Sequence, residues 1–159
     1  VKKYGVRKPI EMVACVHSSH IYEWNELLYP PNLLRITASY AYEQAGIGPE
    51  DIDIAMIQDG MPIGEIGGLE DMGFCEVGEG GKMAEQRTTW IDGEFPVNTD
   101  GGYMSRGNCI GATGAAAIAE IVYQMRDEAG ARQVTIDPKV GLAHNMGAGV
   151  QCAITILKR

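Results

Sequence analysis

An α/β domain built on a mixed sheet is what this sequence predicts, and three observations predict it. Apolar runs alternate with segments whose apolar residues recur at three- and four-residue steps, in the order β-α-β-α-β-α-β-β. The run "IDIAMIQ" is apolar on both faces, as in a parallel strand covered on two sides. The last two apolar runs are joined only by "MGAG", a link short enough for an antiparallel hairpin. Parallel and antiparallel neighbours together make a mixed sheet, expected to have five strands and a cover of helices.

The elements follow in order. "PIEMVACVHS" reads as a first strand over Ile10–Val16, followed by a polar, aromatic loop, "SSHIYEWNELLYPP". Leu33, Leu34, Thr37, Tyr40, Ala41 and Ala45 then share one helical face, and Gly46 supplies the stop. Ile52–Gln58 is the second strand. "MPIGEIGGLEDMG" reads as a broken, glycine-rich helical segment, and "GEGGKMAEQRTTWIDGEF" as exposed loop. Pro96–Asn98 is a short strand. Ile110–Ala129 is a helix apolar on nearly all sides, which marks burial all round. "KVGLAHN" and "VQCAITIL" are the final strands.

Composition bounds the function. The 159 residues suffice for one domain, read as residues 1–159, and no internal repeat interrupts them. A net charge of -8 without a basic run argues against nucleic acid, since neutralising phosphates takes clustered Lys and Arg. Cys15, Cys75, Cys109 and Cys152 are scattered with no C-x-x-C pair, so neither a zinc ribbon nor a disulfide framework is indicated and no metal site is expected. No apolar run approaches the ~18 residues that span a bilayer, and the start shows no apolar signal core. A cytoplasmic protein without a membrane partner is the resulting expectation.

Three glycine-flanked polar clusters fall just after strands: Gln58–Pro62, Asn98–Gly114 and His144–Gly149. In open α/β sheets, chemistry collects at the carboxyl ends of strands. Glycines there let backbone approach a ligand closely and leave N–H groups free to donate. A helix starting near Ile110 to Thr113 adds its positive dipole end, suited to an anion or a developing oxyanion. On pattern alone, such clusters are usually just turns.

The residues carry a resemblance. "NTDGGYMSRGNCIGATG", followed by a helix and then Arg126, Gly130, Arg132, Gln133 and Val134, resembles the thiolase superfamily run N-x-x-G-G-x-x-x-x-G-H-P-x-G-A-T-G … R-x-x-x-G-x-R-Q-V. "LEDMGFCEVGEGGK" and "AHNMGAG" are similar to runs of the branch that includes sterol-carrier-protein thiolases and archaeal acetoacetyl-CoA thiolases. The resemblance implies the C-terminal half of a thiolase, one βαβαβαββ unit. The family's nucleophilic cysteine belongs to the N-terminal half, so that half, on the same or a separate chain, is an implied partner. A homo- or hetero-oligomer and a small OB-fold, zinc-ribbon accessory protein are implied in the same way. Coenzyme A is implied as substrate or product, with no bound cofactor.

The resemblance also assigns residues, with departures. Gln58 and Asp59 stand where the family has Asn-Glu or His-Asp; Gln58 keeps an amide donor to hold water or substrate but does not titrate. Asn108 replaces the family histidine of the oxyanion hole; it can donate to a thioester oxygen but cannot act as a base. Cys109 replaces the next proline, and reads either as a thiol activated by a helix start or as inert filler. His144 stands where this branch has histidine, and is expected to titrate near neutrality as acid and base. Asp59, Gly107, Cys109, Gly111, Asn145 and Gly147 are expected to contact substrate. His17 and His20 read as surface or channel residues. Two functions follow: a thiolase-type acyltransferase on acyl-CoA, with "IYEWNELLY" as a lining for a bulky acyl group, or a non-catalytic thiolase-like subunit that binds acyl-CoA or scaffolds a complex.

Overall fold

The computed structural model describes residues 5, 8–20 and 32–159. The aromatic run "IYEWNELLY" lies outside the described residues. Four strands form one sheet: β1 (Glu11–Ser19), β2 (Ile54–Met56), β3 (Val140–Gly147) and β4 (Gln151–Lys158). Their spatial order is β1-β4-β3-β2. β4 is antiparallel to both β1 and β3, while β2 runs parallel to β3. The sheet is therefore mixed, and the hairpin over "MGAG" forms with Gly147 opposite Gln151.

The expected fifth strand is corrected. Pro96–Asn98 reaches the sheet only as a single parallel bridge between Ala55 and Val97. The reason is local: Pro96 has no N–H to give a ladder, and Asn98 has φ 51°, which turns the chain out of extended geometry. What remains is two backbone bonds, Ala55 N–H to the Pro96 carbonyl and Asn98 N–H to the Ala55 carbonyl.

Helices cover both faces. α1 (Leu33–Ala45) begins at Asn32, whose side chain accepts the Arg35 N–H at 2.9 Å, and stops at Gly46, left-handed at φ 68°. Its Leu33, Leu34, Ala38 and Ala41 pack with Leu69 and Met72, from α2 (Pro62–Asp71) and its end, against Ala55, Ile57, Leu142, Ile154 and Ile156. On the other face, Ala117, Ile121 and Met125 of α5 (Thr113–Arg126) pack against Ile54, Met56, Ala143 and Leu157. Alternate residues of β2 thus enter opposite cores, as strand pleating requires.

Two further expectations are adjusted. The segment read as exposed loop contains α3 (Gly80–Glu85). Gly80 sits so close to α2 that an added Cβ would lie 2.7 Å from the Ile66 carbonyl oxygen, and its N–H donates to Glu70 Oε1. Packing that only glycine allows therefore makes helix where composition suggests loop. α5 is buried on its sheet side, while Tyr123 is 44% exposed and Ile118 and Val122 are half-buried. A short α4 (Gly102–Arg106) lies between β2 and α5 in the chain. Among the described residues, no helix is long and apolar enough to cross a membrane.

Candidate active site

The three glycine-flanked loops meet at one end of the sheet. Asn98 ties the first two together. Its Oδ1 accepts the buried Ile57 N–H at 2.8 Å, and its Nδ2 donates to Glu65 at 2.7 Å. Asp59 adds a second tie, accepting the Tyr103 N–H at 2.6 Å. Gln58 joins the third loop: its Oε1 accepts the Met146 N–H, and its own N–H donates to His144 Nδ1 at 3.4 Å.

Beside these ties lies an open cavity of about 780 Å³. Gln58, Asn108, Gly111, His144, Asn145 and Gly147 all line it, together with His17 on β1 and Thr113 and Gly114 at the start of α5. Asp59, Gly107 and Cys109 do not lie on its wall. Asp59 is 5% exposed and its carboxylate engages Tyr103. Gly107 ends α4 at φ 88°, a conformation that glycine adopts without strain. Cys109 is exposed, and its carbonyl accepts the N–H groups of Ala112 and Thr113. These bonds form the turn that opens α5.

The helix start is part of the wall. The residue before α5, Ala112, has no side-chain oxygen to cap it. The N-terminal dipole of a fourteen-residue helix thus faces the cavity through Thr113 and Gly114. Gly114 also makes room: a Cβ there would lie 2.7 Å from Asn145 Nδ2. Sequence reading places the loop glycines but not this helix–strand contact, which depends on α5 crossing β3. The far end of α5 is held as firmly. Arg132 Nε donates to both Glu120 oxygens at 3.0 and 2.9 Å, and Gln124 bridges Glu120, the Arg132 carbonyl and the Val134 N–H. The "RQV" signature is thus the clamp that fixes α5 behind the cavity.

His144 departs from its expectation of an ionisation near neutrality. The ring is 3% exposed, and burial alone pulls its pKa down to about 4. It is neutral at physiological pH. A second cavity, of about 640 Å³, meets the first at Gln58, His144 and Met146 and continues between Leu33, Leu34, Met61 and Ile63. Among the described residues, no group of three or more His, Cys, Asp or Glu side chains is placed to hold a metal ion.

The buried imidazole of His144, the amides of Gln58 and Asn108 and the start of α5 thus share one cavity wall at one end of a mixed sheet. Comparison with known proteins places the chain within a family: residues 14–159 match the model described as thiolase C-terminal domain-like, and the chain belongs to the thiolase family. It is 45% identical over 123 residues to an acetyl-CoA acetyltransferase of Methanothermobacter thermautotrophicus, covering 77% of this chain and 32% of that protein. It is 36% identical to the benzoylsuccinyl-CoA thiolase subunit BbsB of Thauera aromatica, covering 98% of this chain and 40% of the relative. Sterol carrier protein 2 of Oryctolagus cuniculus is 34% identical, with 99% and 30% covered. The chain therefore spans 30 to 40% of the length of these relatives. Among solved structures, one titled "Ltp2-ChsH2(DUF35) aldolase" superposes with a TM-score of 0.79 at 25% identity, over 95% of this chain and 40% of that one.

Proposed function

We propose that this chain is the C-terminal half-site of a thiolase-type acyltransferase, acting on a β-ketoacyl-CoA by thiolytic cleavage or Claisen condensation. The observation that carries this reading is the convergence of Gln58, Asn108 and His144 on one cavity beside the α5 N-terminus. A thioester carbonyl placed there meets amide, imidazole and helix-dipole donors, and one well-placed donor is worth about 10²–10³ in rate. In this reading a cysteine of the N-terminal half takes the acyl group, and coenzyme A is substrate or product. The second cavity supports an acyl group bulkier than acetyl, since it extends from His144 between apolar side chains. Relatives named for acetyl-CoA and benzoylsuccinyl-CoA bracket a small and a bulky acyl group.

An oligomer or complex is the expected working state, in keeping with a relative named as a subunit and a structural relative named with a DUF35 component. A small OB-fold, zinc-ribbon protein is the accessory partner we propose. The competing reading, a non-catalytic thiolase-like subunit, is favoured by one observation: Asn108 stands in place of the family histidine and cannot move a proton. The assay that separates the two is coenzyme A-dependent thiolysis of acetoacetyl-CoA and an aryl β-ketoacyl-CoA by the full-length protein. Turnover that falls about 10²–10³ in Asn108→Ala, with KM little changed, supports the enzyme. Binding of acyl-CoA with no turnover supports the non-catalytic subunit.

A further inference from the structure

His144 lies on β3 at the junction of the two cavities. Its Nδ1 faces the Gln58 backbone N–H at 3.4 Å. An amide N–H has only a hydrogen to offer, so the nitrogen it meets must bring a lone pair. With the proton on Nδ1, two hydrogens would face one another. A neutral imidazole carries one N–H, which is therefore on Nε2, and Nε2 is buried without a partner. The surrounding groups offer hydrogens as well. Gln58 has its oxygen engaged by Met146, leaving its amide hydrogens for a ligand. Asn108 carries a second amide, and α5 adds its N-terminal dipole.

We propose that His144 serves this site as a neutral hydrogen-bond donor through Nε2–H, polarising a carbonyl or enolate oxygen, and not as the base that removes the α-proton. The proposal rests on the thioester reading of the cavity. Nε2 already holds a proton, and Nδ1 can take one only by giving up the Gln58 contact. No proton enters or leaves the ring during turnover. A neutral imidazole used as an electrophile has precedent in triosephosphate isomerase. The titratable groups that share the two cavities with it are His17 and Cys152 in the first and Asp71 in the second. None of them contributes to its depressed pKa, which burial alone explains.

Two measurements on the full-length protein test this. With ¹⁵N-labelled histidine, long-range ¹H–¹⁵N correlation at pH 7 should show the His144 ring with a protonated Nε2 and an unprotonated Nδ1, its signals identified by their loss in His144→Gln. The opposite tautomer, or a doubly protonated ring, overturns the proposal whether or not the protein turns over acyl-CoA. In thiolysis, His144→Gln, whose amide offers an N–H at similar reach, should retain activity within about tenfold, while His144→Ala loses about 10²–10³. Equal loss in both folded variants, with a wild-type ionisation that both abolish, would make His144 the base. Wild type inactive on every acyl-CoA would remove the thiolase reading and leave the tautomer result standing.

Discussion

The carboxylate of Asp59 accepts the backbone N–H of Tyr103 at 2.6 Å, joining the loop after β2 to the first turn of α4. Gly102 permits it: a Cβ at that position would lie 2.0 Å from Asp59 Oδ2, on a residue already at φ +64°. The contact anchors the segment that carries Asn108. Asp59→Ala should orphan a buried donor and lower stability by about 1–3 kcal/mol, seen as a lower urea midpoint. Gly102→Ala should cost at least as much, through both strain and overlap. An unchanged midpoint in both variants would mean that the loop is held elsewhere.

At Gly114, helix propensity and sterics oppose each other. Alanine in an exposed helix gains about 1 kcal/mol over glycine. Here its Cβ would lie 2.7 Å from Asn145 Nδ2, the mobile end of a side chain that can move aside. Gly114→Ala should therefore leave thermal stability unchanged or raised, while displacing Asn145 from the cavity wall and lowering turnover by about tenfold or more. Lost stability with intact turnover would reverse this ranking.

Glu120 is 3% exposed and accepts hydrogen bonds from Arg132, Thr99 and Gln124. Removing the guanidinium leaves the other two donors in place, so Arg132→Ala should cost about 2 kcal/mol, short of the full penalty of an abandoned buried charge. Arg132→Lys keeps the charge but not the fork onto both oxygens, and should recover only part of the loss. Urea titrations of the three proteins check the order wild type, Lys, Ala.

The buried imidazole also predicts a pH dependence of stability. The folded pKa of His144 is about 4, below its ordinary value of 6.5. Between those values the unfolded chain binds a proton that the native state refuses, so stability rises with pH there. The contribution is fully present above pH 6.5 and is lost as pH falls toward 4, by up to about 3 kcal/mol. Between pH 7 and pH 4 the unfolding free energy of wild type should fall by up to about 3 kcal/mol more than that of His144→Gln. Parallel curves would place the ring in solvent.

Much of this fold is readable from local rules. Asn32 and Gly46 bracket α1 because a side-chain cap and a left-handed glycine act within one turn of backbone. The hairpin over Met146–Gly149 follows from link length. The grouping of Gln58, Asn108 and His144 is readable only in part: Gln58 follows β2, whereas His144 lies within β3 and Asn108 follows a segment that does not form a strand. What escapes local rules depends on distant partners. α3 exists because Gly80 fits under α2, and Pro96–Asn98 fails as a strand because of Pro96's missing donor and the turn at Asn98. The bond from the Tyr103 N–H to Asp59 joins residues far apart in the chain, and no local rule reveals it. The acidic shift of His144 likewise arises from burial, which no neighbour in sequence reveals.

The central claim is that Asn108 and His144 share one thioester oxygen, and a structure of the full-length protein with a bound, non-cleavable β-ketoacyl-CoA analogue tests it most directly. The account predicts a carbonyl oxygen of the analogue at about 2.7–3.2 Å from both the Asn108 amide and His144 Nε2, with the acyl group directed toward Leu33, Leu34 and Ile63. An analogue bound with its thioester away from Gln58, Asn108 and His144 would contradict it.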